Sequence, residues 1–189
     1  MLRRRFLAAL AACAGPPLAA ADDDAALWQR LRGGGHVLLI RHAATHPGIG
    51  DPPGFVLTEC HTQRNLSDLG RRDARSIGAA FRSRDIPLGN ILSSRWCRCL
   101  DTARLAFGRV EPAPMLDSMF NDSEAQGQAK VRQVRARAGH YDGKDNLVLV
   151  THDVNIRALV GEGVAQGDIV VARPGGGRLE KLGVLRAHA

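Results

Sequence analysis

The residues best suited to chemistry are two histidines and two arginines near the ends of apolar segments. His42, with Arg41 before it, and His152 each lie at the end of such a segment, and Arg98 follows a third one. A neutral imidazole can attack phosphorus. The planar guanidinium group of arginine can bind two phosphate oxygens at once and stabilise their charge, which the point charge of lysine does less well. These residue types together indicate phosphoryl transfer.

The secondary structure decides whether these side chains can meet. Residues 36–40 and 146–150 are nearly continuous apolar runs, which are typical of strands buried on both faces of a parallel sheet. The carboxyl ends of parallel strands meet at one edge of the sheet, where ligands bind in such folds. A single histidine or arginine at a strand end is more often an ordinary surface or hydrogen-bonding residue, so the hypothesis depends on all four residues together.

The remaining pattern predicts strands that alternate with helices, around a long loop over residues 43–60 that is rich in glycine and proline. Ser67 is predicted as the N-cap of a helix that continues to Arg82. This alternation predicts an α/β layered domain with a mostly parallel sheet. Further helices are predicted over residues 22–31, 97–107, 128–138 and 154–160, and further strands over 90–94, 168–172 and 179–185.

The beginning of the chain has the pattern of a cleavable signal peptide. A basic start, Arg3, Arg4 and Arg5, precedes a short apolar run and then small residues up to Ala21. The apolar run is too short to span a bilayer, so no stable membrane span is expected. We therefore expect residues 1–21 to be removed, leaving a single domain over residues 22–189 in the periplasm or outside the cell.

The sequence does not decide between the possible export routes. Arg3-Arg4-Arg5 followed by Phe-Leu also fits the twin-arginine pattern of proteins exported in folded form. Cys13 lies in a stretch that resembles a lipoprotein processing box, although the segment before it is short for a signal. The lipoprotein alternative is therefore disfavoured.

Charge argues against nucleic acid as a partner. The whole chain has 26 basic and 19 acidic residues, and loss of the three early arginines leaves 23 basic residues and a net charge of +4. The charges are interleaved and aromatic residues are few, which is unlike a nucleic-acid-binding surface. A mildly positive field favours small anionic substrates instead.

Three cysteines remain after removal of the signal: Cys60, Cys97 and Cys99. In an oxidising compartment, one disulfide and one free thiol are the simplest outcome. Cys60 is expected to pair with Cys97 or Cys99, because it lies beside the long loop and the other two flank Arg98. Only one of them can face Cys60, since they point to different sides of a helix. A metal site at the Cys-x-Cys segment is disfavoured, since no other cysteine or histidine cluster accompanies it.

Four collinear motifs over residues 35–185 resemble those of the histidine phosphatase superfamily. The first stands where the family has Arg-His-Gly, with Ala43 replacing the glycine. The second resembles the family's Leu-Thr/Ser-x-x-Gly-x-x-Gln-Ala helix start, with Asp73 in place of glutamine. The third and fourth resemble the segments that carry the phosphate-binding arginine and the second histidine. The motifs are Arg41-His42-Ala43, residues 65–74, residues 93–103 and Val148-Leu149-Val150-Thr151-His152.

The resemblance implies a three-layer α/β sandwich of the phosphoglycerate mutase-like type, with helices on both faces of the sheet. It implies that His42 is the nucleophile, and that Arg41, Arg98 and His152 form the phosphate pocket. No metal or other cofactor is implied, because the arginines supply the charge stabilisation. The chain departs from many relatives after its first motif, where it has Ala44, Thr45 and Gly48. Its loop contacts are therefore expected to differ.

The resemblance leaves two candidates for the acid that protonates the leaving oxygen. One branch of the family uses a glutamate after the arginine motif, which corresponds to Asp117 here, and the other uses an aspartate after the second histidine, which corresponds to Asp153. Asp117 is preferred slightly because the chain is short, like the first branch. Asp122 and Glu124 in the same irregular stretch come next.

The leading hypothesis is thus an exported phosphomonoesterase that acts on a small phosphorylated substrate, such as a sugar phosphate, or on a phosphate group of the cell envelope. A phosphotransferase or mutase is the alternative among enzymes, disfavoured because central metabolic intermediates lie in the cytoplasm. An inactive, phosphate-binding relative is the non-enzymatic alternative. The presence of His42, Arg98 and His152 argues against it.

Overall fold

The structure is a computed structural model that describes residues 18–187. Two short 3₁₀ turns, Cys60–Thr62 and Pro114–Leu116, lie between the longer elements. The helices of this range are α1 (Leu18–Arg32), α2 (Asp68–Arg82), α3 (Cys97–Phe107), α4 (Glu124–Ala138) and α5 (Asp153–Val160). The strands are β1 (Val37–Arg41), β2 (Leu88–Ser93), β3 (Glu111–Pro112), β4 (Asn146–Thr151), β5 (Ile169–Gly175) and β6 (Arg178–Leu185).

The six strands form one sheet in the order β3-β2-β4-β1-β5-β6. Strands β1 to β4 run parallel to their neighbours within this group, whereas β5 pairs antiparallel with both β1 and β6. Strands β2, β4 and β1 lie side by side, so their carboxyl ends meet at the same edge. The predicted α/β fold with a mostly parallel sheet is confirmed.

The apolar runs of the central strands supply two cores at once. On β1, Leu38 and Ile40 face the cluster formed with α1, α2 and α3, whereas Val37 and Leu39 face the cluster formed with α4 and α5. Strand β4 alternates in the same way, because successive side chains of a strand point to opposite faces. Helices therefore cover both faces, as the three-layer sandwich requires.

The helix starts follow local capping signals. The Ser67 side chain accepts a hydrogen bond from the Gly70 backbone N–H at 3.1 Å, which confirms it as the N-cap of α2. Helix α4 begins at Glu124, earlier than the predicted start at residue 128. The reason is a capping box, in which Ser123 and Gln126 each bond the other's backbone N–H.

Gly70 allows α2 to approach the loop that follows the first histidine. A Cβ atom at this position would lie 1.8 Å from the carbonyl oxygen of Ala44, so a larger residue would displace the backbone there. The Ser67 backbone N–H also donates to that same carbonyl at 3.0 Å. The glycine of the second motif therefore helps to position the loop that follows His42.

The predicted signal peptide, residues 1–21, lies outside the described residues except for its end, which forms the start of α1. Helix α1 begins at Leu18 rather than at the predicted residue 22, so the expected cleavage point near Ala21 falls within its first turn. Within residues 18–187, no helix combines the length and apolar character needed to span a membrane.

Candidate active site

The parallel register of β1 and β4 brings the two histidines together. Arg41 pairs with Thr151 across β1 and β4, so the next residue of each strand, His42 and His152, emerges at the same place. The His42 backbone N–H donates to the Thr151 carbonyl oxygen at 3.0 Å. The two imidazole rings lie 5.5 Å apart between centroids.

His42 is held as a neutral imidazole. Its side chain is almost fully buried, and its Nδ1 lies 2.9 Å from the carbonyl oxygen of Ala43. Because a carbonyl oxygen can only accept, Nδ1 carries the proton and Nε2 keeps its lone pair. Burial lowers the pKa of His42 to about 3, and nearby positive charges of Arg98, Arg41 and Arg64 act in the same direction.

His152 is held by polar contacts from α3 and from Ser94, the residue directly after β2. Its Nε2 lies 2.8 Å from the Ser94 hydroxyl oxygen and 3.5 Å from the Cys99 sulfur. The ring packs edge-on against Trp96, with centroids 5.5 Å apart. Burial lowers the pKa of His152 well below its ordinary value, with the neighbouring His42 and Arg98 adding to the effect.

Arg41 and Arg98 each carry a buried N–H group that lacks a partner. Among the described residues, the Nε atoms of both arginines are buried and make no hydrogen bond. The other contacts of Arg41 are a 2.6 Å hydrogen bond to the Val164 carbonyl oxygen and a 3.8 Å approach to Asp153. Buried donors without a partner are rare in proteins, so two of them beside one imidazole indicate a site for an anion.

Asp51 and Arg64 belong to this site but were not predicted. Arg64 donates from Nε to the Gly50 carbonyl oxygen at 2.7 Å and from Nη1 to the Thr45 hydroxyl. Asp51 accepts two hydrogen bonds from Arg98. Both residues lie in or beside the long loop, whose length was the one sequence signal that could have pointed to them.

Asp51 is charged despite its burial. Burial alone would raise the pKa of its carboxyl group, but hydrogen bonds from Arg98, the Arg64 backbone and Trp96 outweigh this and lower the pKa. An ionised carboxylate cannot donate a proton. Asp51 is therefore unsuited to protonate a leaving group.

The two acids expected from the sequence lie in different surroundings. Asp117 is buried, and its oxygens accept hydrogen bonds from the Arg95 backbone N–H at 2.8 Å and from the Arg95 guanidinium group at 2.8 and 2.5 Å. Asp153 is partly exposed, and its Oδ1 accepts from the Val164 backbone N–H at 2.9 Å. Both line the same pocket.

Asp122 and Glu124, the next candidates for the proton donor, lie in different positions relative to the pocket. Asp122 lines the pocket and pairs with Lys130 at 2.7 Å. Glu124 is exposed at the start of α4, where it accepts a hydrogen bond from Gln128. Glu124 does not line the pocket around the histidines.

The two histidines, Arg41 and Arg98 line a pocket of about 720 Å³. Phe55, Leu57 and Phe120 add apolar surface to its wall, which also includes the ion pairs Arg95–Asp117 and Lys130–Asp122. Phe120 is more than half exposed, so it lies at the mouth. The pocket is large enough for an organic group attached to a phosphate.

A disulfide supports the loop beside the site. Cys60 pairs with Cys97, one of its two expected partners, with Cα atoms 5.6 Å apart, and Cys99 stays a buried thiol. Burial raises the pKa of Cys99 to about 12, so it is protonated and unreactive. The disulfide joins the loop to the residue directly before Arg98.

A metal-binding cluster is not found in the part of the chain that the structure describes, where no three histidine, cysteine, aspartate or glutamate side chains are grouped to hold an ion. The positive charge of the pocket comes from arginine side chains. These can neutralise phosphate oxygens directly.

Residues 37–123 match the model of the histidine phosphatase superfamily, branch 1. The match includes the first three motifs, from Arg41 to the helix that carries Arg98. His152 lies beyond it, and the structure joins that residue to the matched part through the pairing of β1 with β4. A search of curated protein sequences gave no significant match.

Solved structures share the fold over nearly their whole length. The product of an open reading frame of Mycobacterium tuberculosis is 18% identical with a TM-score of 0.62, and the match covers 81% of this chain and 98% of that one. The α-ribazole phosphatase from Shigella flexneri is 21% identical with a TM-score of 0.58, covering 82% and 97%. The phosphoserine phosphatase from Entamoeba histolytica is 16% identical with a TM-score of 0.59, covering 82% and 99%.

At these identities the neighbours establish the fold and leave the substrate open, since their own names refer to different phosphate esters. The family model, the collinear motifs and the shared fold agree with one another. The chain has the phosphoglycerate mutase-like fold, and its residues 37–123 match the histidine phosphatase superfamily.

Proposed function

We propose that the chain is a phosphatase that hydrolyses a phosphomonoester through a phosphohistidine on His42. The observation that carries this proposal is a neutral, buried imidazole beside two arginines whose buried Nε–H groups lack partners. A phosphoryl group supplies oxygens for both donors. It also places phosphorus in front of the Nε2 lone pair of His42.

The reaction proceeds in two steps. In the first, Nε2 of His42 forms a bond to phosphorus, the bond from phosphorus to the ester oxygen breaks, and that oxygen takes up a proton. In the second, water attacks the phosphohistidine, the bond between nitrogen and phosphorus breaks, and orthophosphate leaves. Arg41, Arg98 and His152 stabilise the charge on the phosphoryl oxygens in both steps.

The proton for the leaving oxygen comes from Asp153 or Asp117. The contacts favour Asp153, because it is partly exposed in the pocket and its Oδ2 makes only a long 3.4 Å contact with Arg157, while Oδ1 accepts from the Val164 backbone N–H. Asp117 uses both oxygens as acceptors towards Arg95, and it would have to release these bonds in order to carry a proton.

The substrate is an organic phosphomonoester, such as a sugar phosphate, or a phosphate group of the cell envelope. Besides the histidines and arginines, the pocket offers apolar surface at Phe55 and Phe120 and two ion pairs, Arg95–Asp117 and Lys130–Asp122. Such a wall suits a group larger than a small alcohol.

We also propose export to the periplasm or to the outside of the cell. The signal-like residues 1–21 support this, and so does the disulfide, because disulfides persist in oxidising compartments. A central metabolic mutase would have its substrates in the cytoplasm.

The test is turnover of para-nitrophenyl phosphate by the chain without residues 1–21, together with rapid quenching to trap phosphohistidine. We expect orthophosphate release and a labelled enzyme in the wild type, and neither in His42→Ala. Turnover in His42→Ala would overturn the mechanism. Binding of orthophosphate without turnover would indicate an inactive relative, and phosphoryl transfer to an alcohol without net hydrolysis would indicate a transferase.

A further inference from the structure

The guanidinium group of Arg98 is held by a carboxylate from the long loop. Arg98 Nη1 donates to Asp51 Oδ1 at 2.6 Å, and Nη2 donates to Oδ2 at 3.2 Å. The exposed fractions of the two side chains are only 4% and 7%. This is a buried, two-point ion pair on the arginine that the phosphate site depends on.

The ion pair with Asp51 occupies the Nη1–Nη2 edge of the Arg98 guanidinium group, and the edge that carries Nε remains available. Nη1 also donates to the Arg64 carbonyl oxygen at 3.4 Å, so both of its hydrogens are directed to protein oxygens. The remaining edge carries the Nε hydrogen and the second Nη2 hydrogen, which point in the same direction. Nε is buried and has no partner among the described residues. That edge is the one able to bind two oxygens of a phosphoryl group.

Asp51 is itself held in place by two further donors. The Arg64 backbone N–H donates to Oδ1 at 3.0 Å, and Trp96 Nε1 donates to Oδ2 at 2.9 Å. The carboxylate therefore has a defined position before any substrate arrives. Asp51 thereby also fixes the orientation of Arg98, because a two-point ion pair restricts rotation of the planar guanidinium group.

We propose that Asp51 is a positioning residue for the phosphoryl site. It holds the terminal edge of Arg98 so that the Nε edge faces the transferred group in the geometry of the transition state. The role rests on the proposed function, because it matters only if Arg98 binds the phosphoryl group. A guanidinium group held in advance needs no reorganisation during reaction.

The variant Asp51→Asn separates positioning from simple charge. It replaces one acceptor oxygen by an NH₂ group, which opposes the donors of Arg98 and Trp96. Loss of the negative charge strengthens attraction for phosphate in the ground state, whereas loss of orientation weakens the transition state. We therefore expect kcat to fall by about 10- to 100-fold, with KM changed by less than about threefold, since the two effects on substrate binding oppose each other.

A double-mutant cycle distinguishes positioning of Arg98 from a purely structural role of Asp51, because only the first makes the effect of Asp51→Asn on kcat depend on Arg98. In an Arg98→Lys background, Asp51→Asn should lower kcat by less than about threefold, because the edge that it orients is gone. Equal losses in both backgrounds would mean that Asp51 acts independently of Arg98, for example by holding the loop, and would overturn the proposal. Unchanged kcat in the single variant would also overturn it.

Asp101→Asn is the matched control. Asp101 lies on α3, the helix that carries Arg98, and it pairs with Arg71 at 3.6 Å on the partly exposed side. Wild type and this control should turn over para-nitrophenyl phosphate alike.

If Asp51→Asn does not fold, Asp51→Glu keeps the charge but displaces it by one methylene, and it should still lower kcat. Unchanged kcat in Asp51→Glu would overturn the positioning role while leaving the phosphatase intact. Absence of turnover in the wild type would overturn the proposed function, and this role with it.

Discussion

Asp117 and Arg95 form a two-point ion pair in which Nε and Nη2 of the arginine donate to Oδ2 of the carboxylate at 2.8 and 2.5 Å. The Arg95 backbone N–H adds a bond to Oδ1 at 2.8 Å. Both oxygens thus act as acceptors. A general acid needs one oxygen to carry a proton, so this arrangement directs attention to Asp153.

The proton donor can be identified by comparing substrates whose leaving groups differ in their need for a proton. Asp153→Asn should slow hydrolysis of an alkyl phosphate far more than that of para-nitrophenyl phosphate, because an alkoxide needs a proton and a nitrophenolate does not. General acid catalysis contributes about 10²- to 10⁴-fold, which sets the size expected for the alkyl ester. Asp117→Asn should affect both substrates to a similar extent, through the loss of its contacts with Arg95.

The reverse pattern in steady-state kinetics would assign the proton to Asp117. Equal effects on both substrates in both variants would exclude the two residues as donors. Asp122, which lines the same pocket, would then be tested in the same way.

Arg98→Lys should keep a positive charge but lose the edge that carries two donors. We expect turnover to fall by about ten- to a thousandfold, which is the range for loss of an electrostatic stabiliser of a transition state. The measurement is kcat/KM with para-nitrophenyl phosphate. Arg104→Lys, on the exposed side of the same helix, is the control and should match the wild type. Wild-type activity in Arg98→Lys would place this arginine outside the phosphate site.

The low pKa of His42 has a consequence for stability. The folded value of about 3 lies below the ordinary value of about 6.5. The unfolded chain therefore binds a proton that the folded chain does not, and stability falls as the pH drops below about 6.5 until it reaches about 3. At pH 4.5 this single group should cost about 3 kcal/mol relative to pH 7.5.

Urea unfolding of wild type and His42→Gln at pH 7.5 and 4.5 measures the difference. The loss of unfolding free energy between the two pH values should be smaller in the variant. His61→Gln is the control, because this histidine is largely exposed and does not line the pocket. The same pH dependence in His42→Gln and wild type would contradict a depressed pKa.

Loss of the disulfide should lower stability without removing the catalytic groups. Cys60 and Cys97 are 37 residues apart, so Cys60→Ser should reduce the free energy of unfolding by about 3 to 4 kcal/mol in the chain-entropy model. Mass spectrometry of the non-reduced protein should find the peptides of these two cysteines linked. Cys99→Ala should keep that link. A peptide that joins Cys60 to Cys99 in the wild type would refute the pairing.

The sequence determined the central sheet and the positions where its strands end. The runs before Arg41 and His152 are apolar without alternation, and only a strand covered on both faces suits that pattern. Helix α3 begins and ends where its periodicity predicted, and Ser67 caps α2 as expected. These features are local, because each depends on residues within a few positions of one another.

Only the tertiary structure decided the contacts that complete the site. Asp51 meets Arg98 across 47 residues of sequence, and Asp117 meets Arg95 across 22. The choice of Cys97 over Cys99 depended in the same way on which side of α3 faces the loop. Such pairs depend on the path of irregular segments, for which periodicity carries no information, whereas a strand or a helix cap is set by the residues beside it.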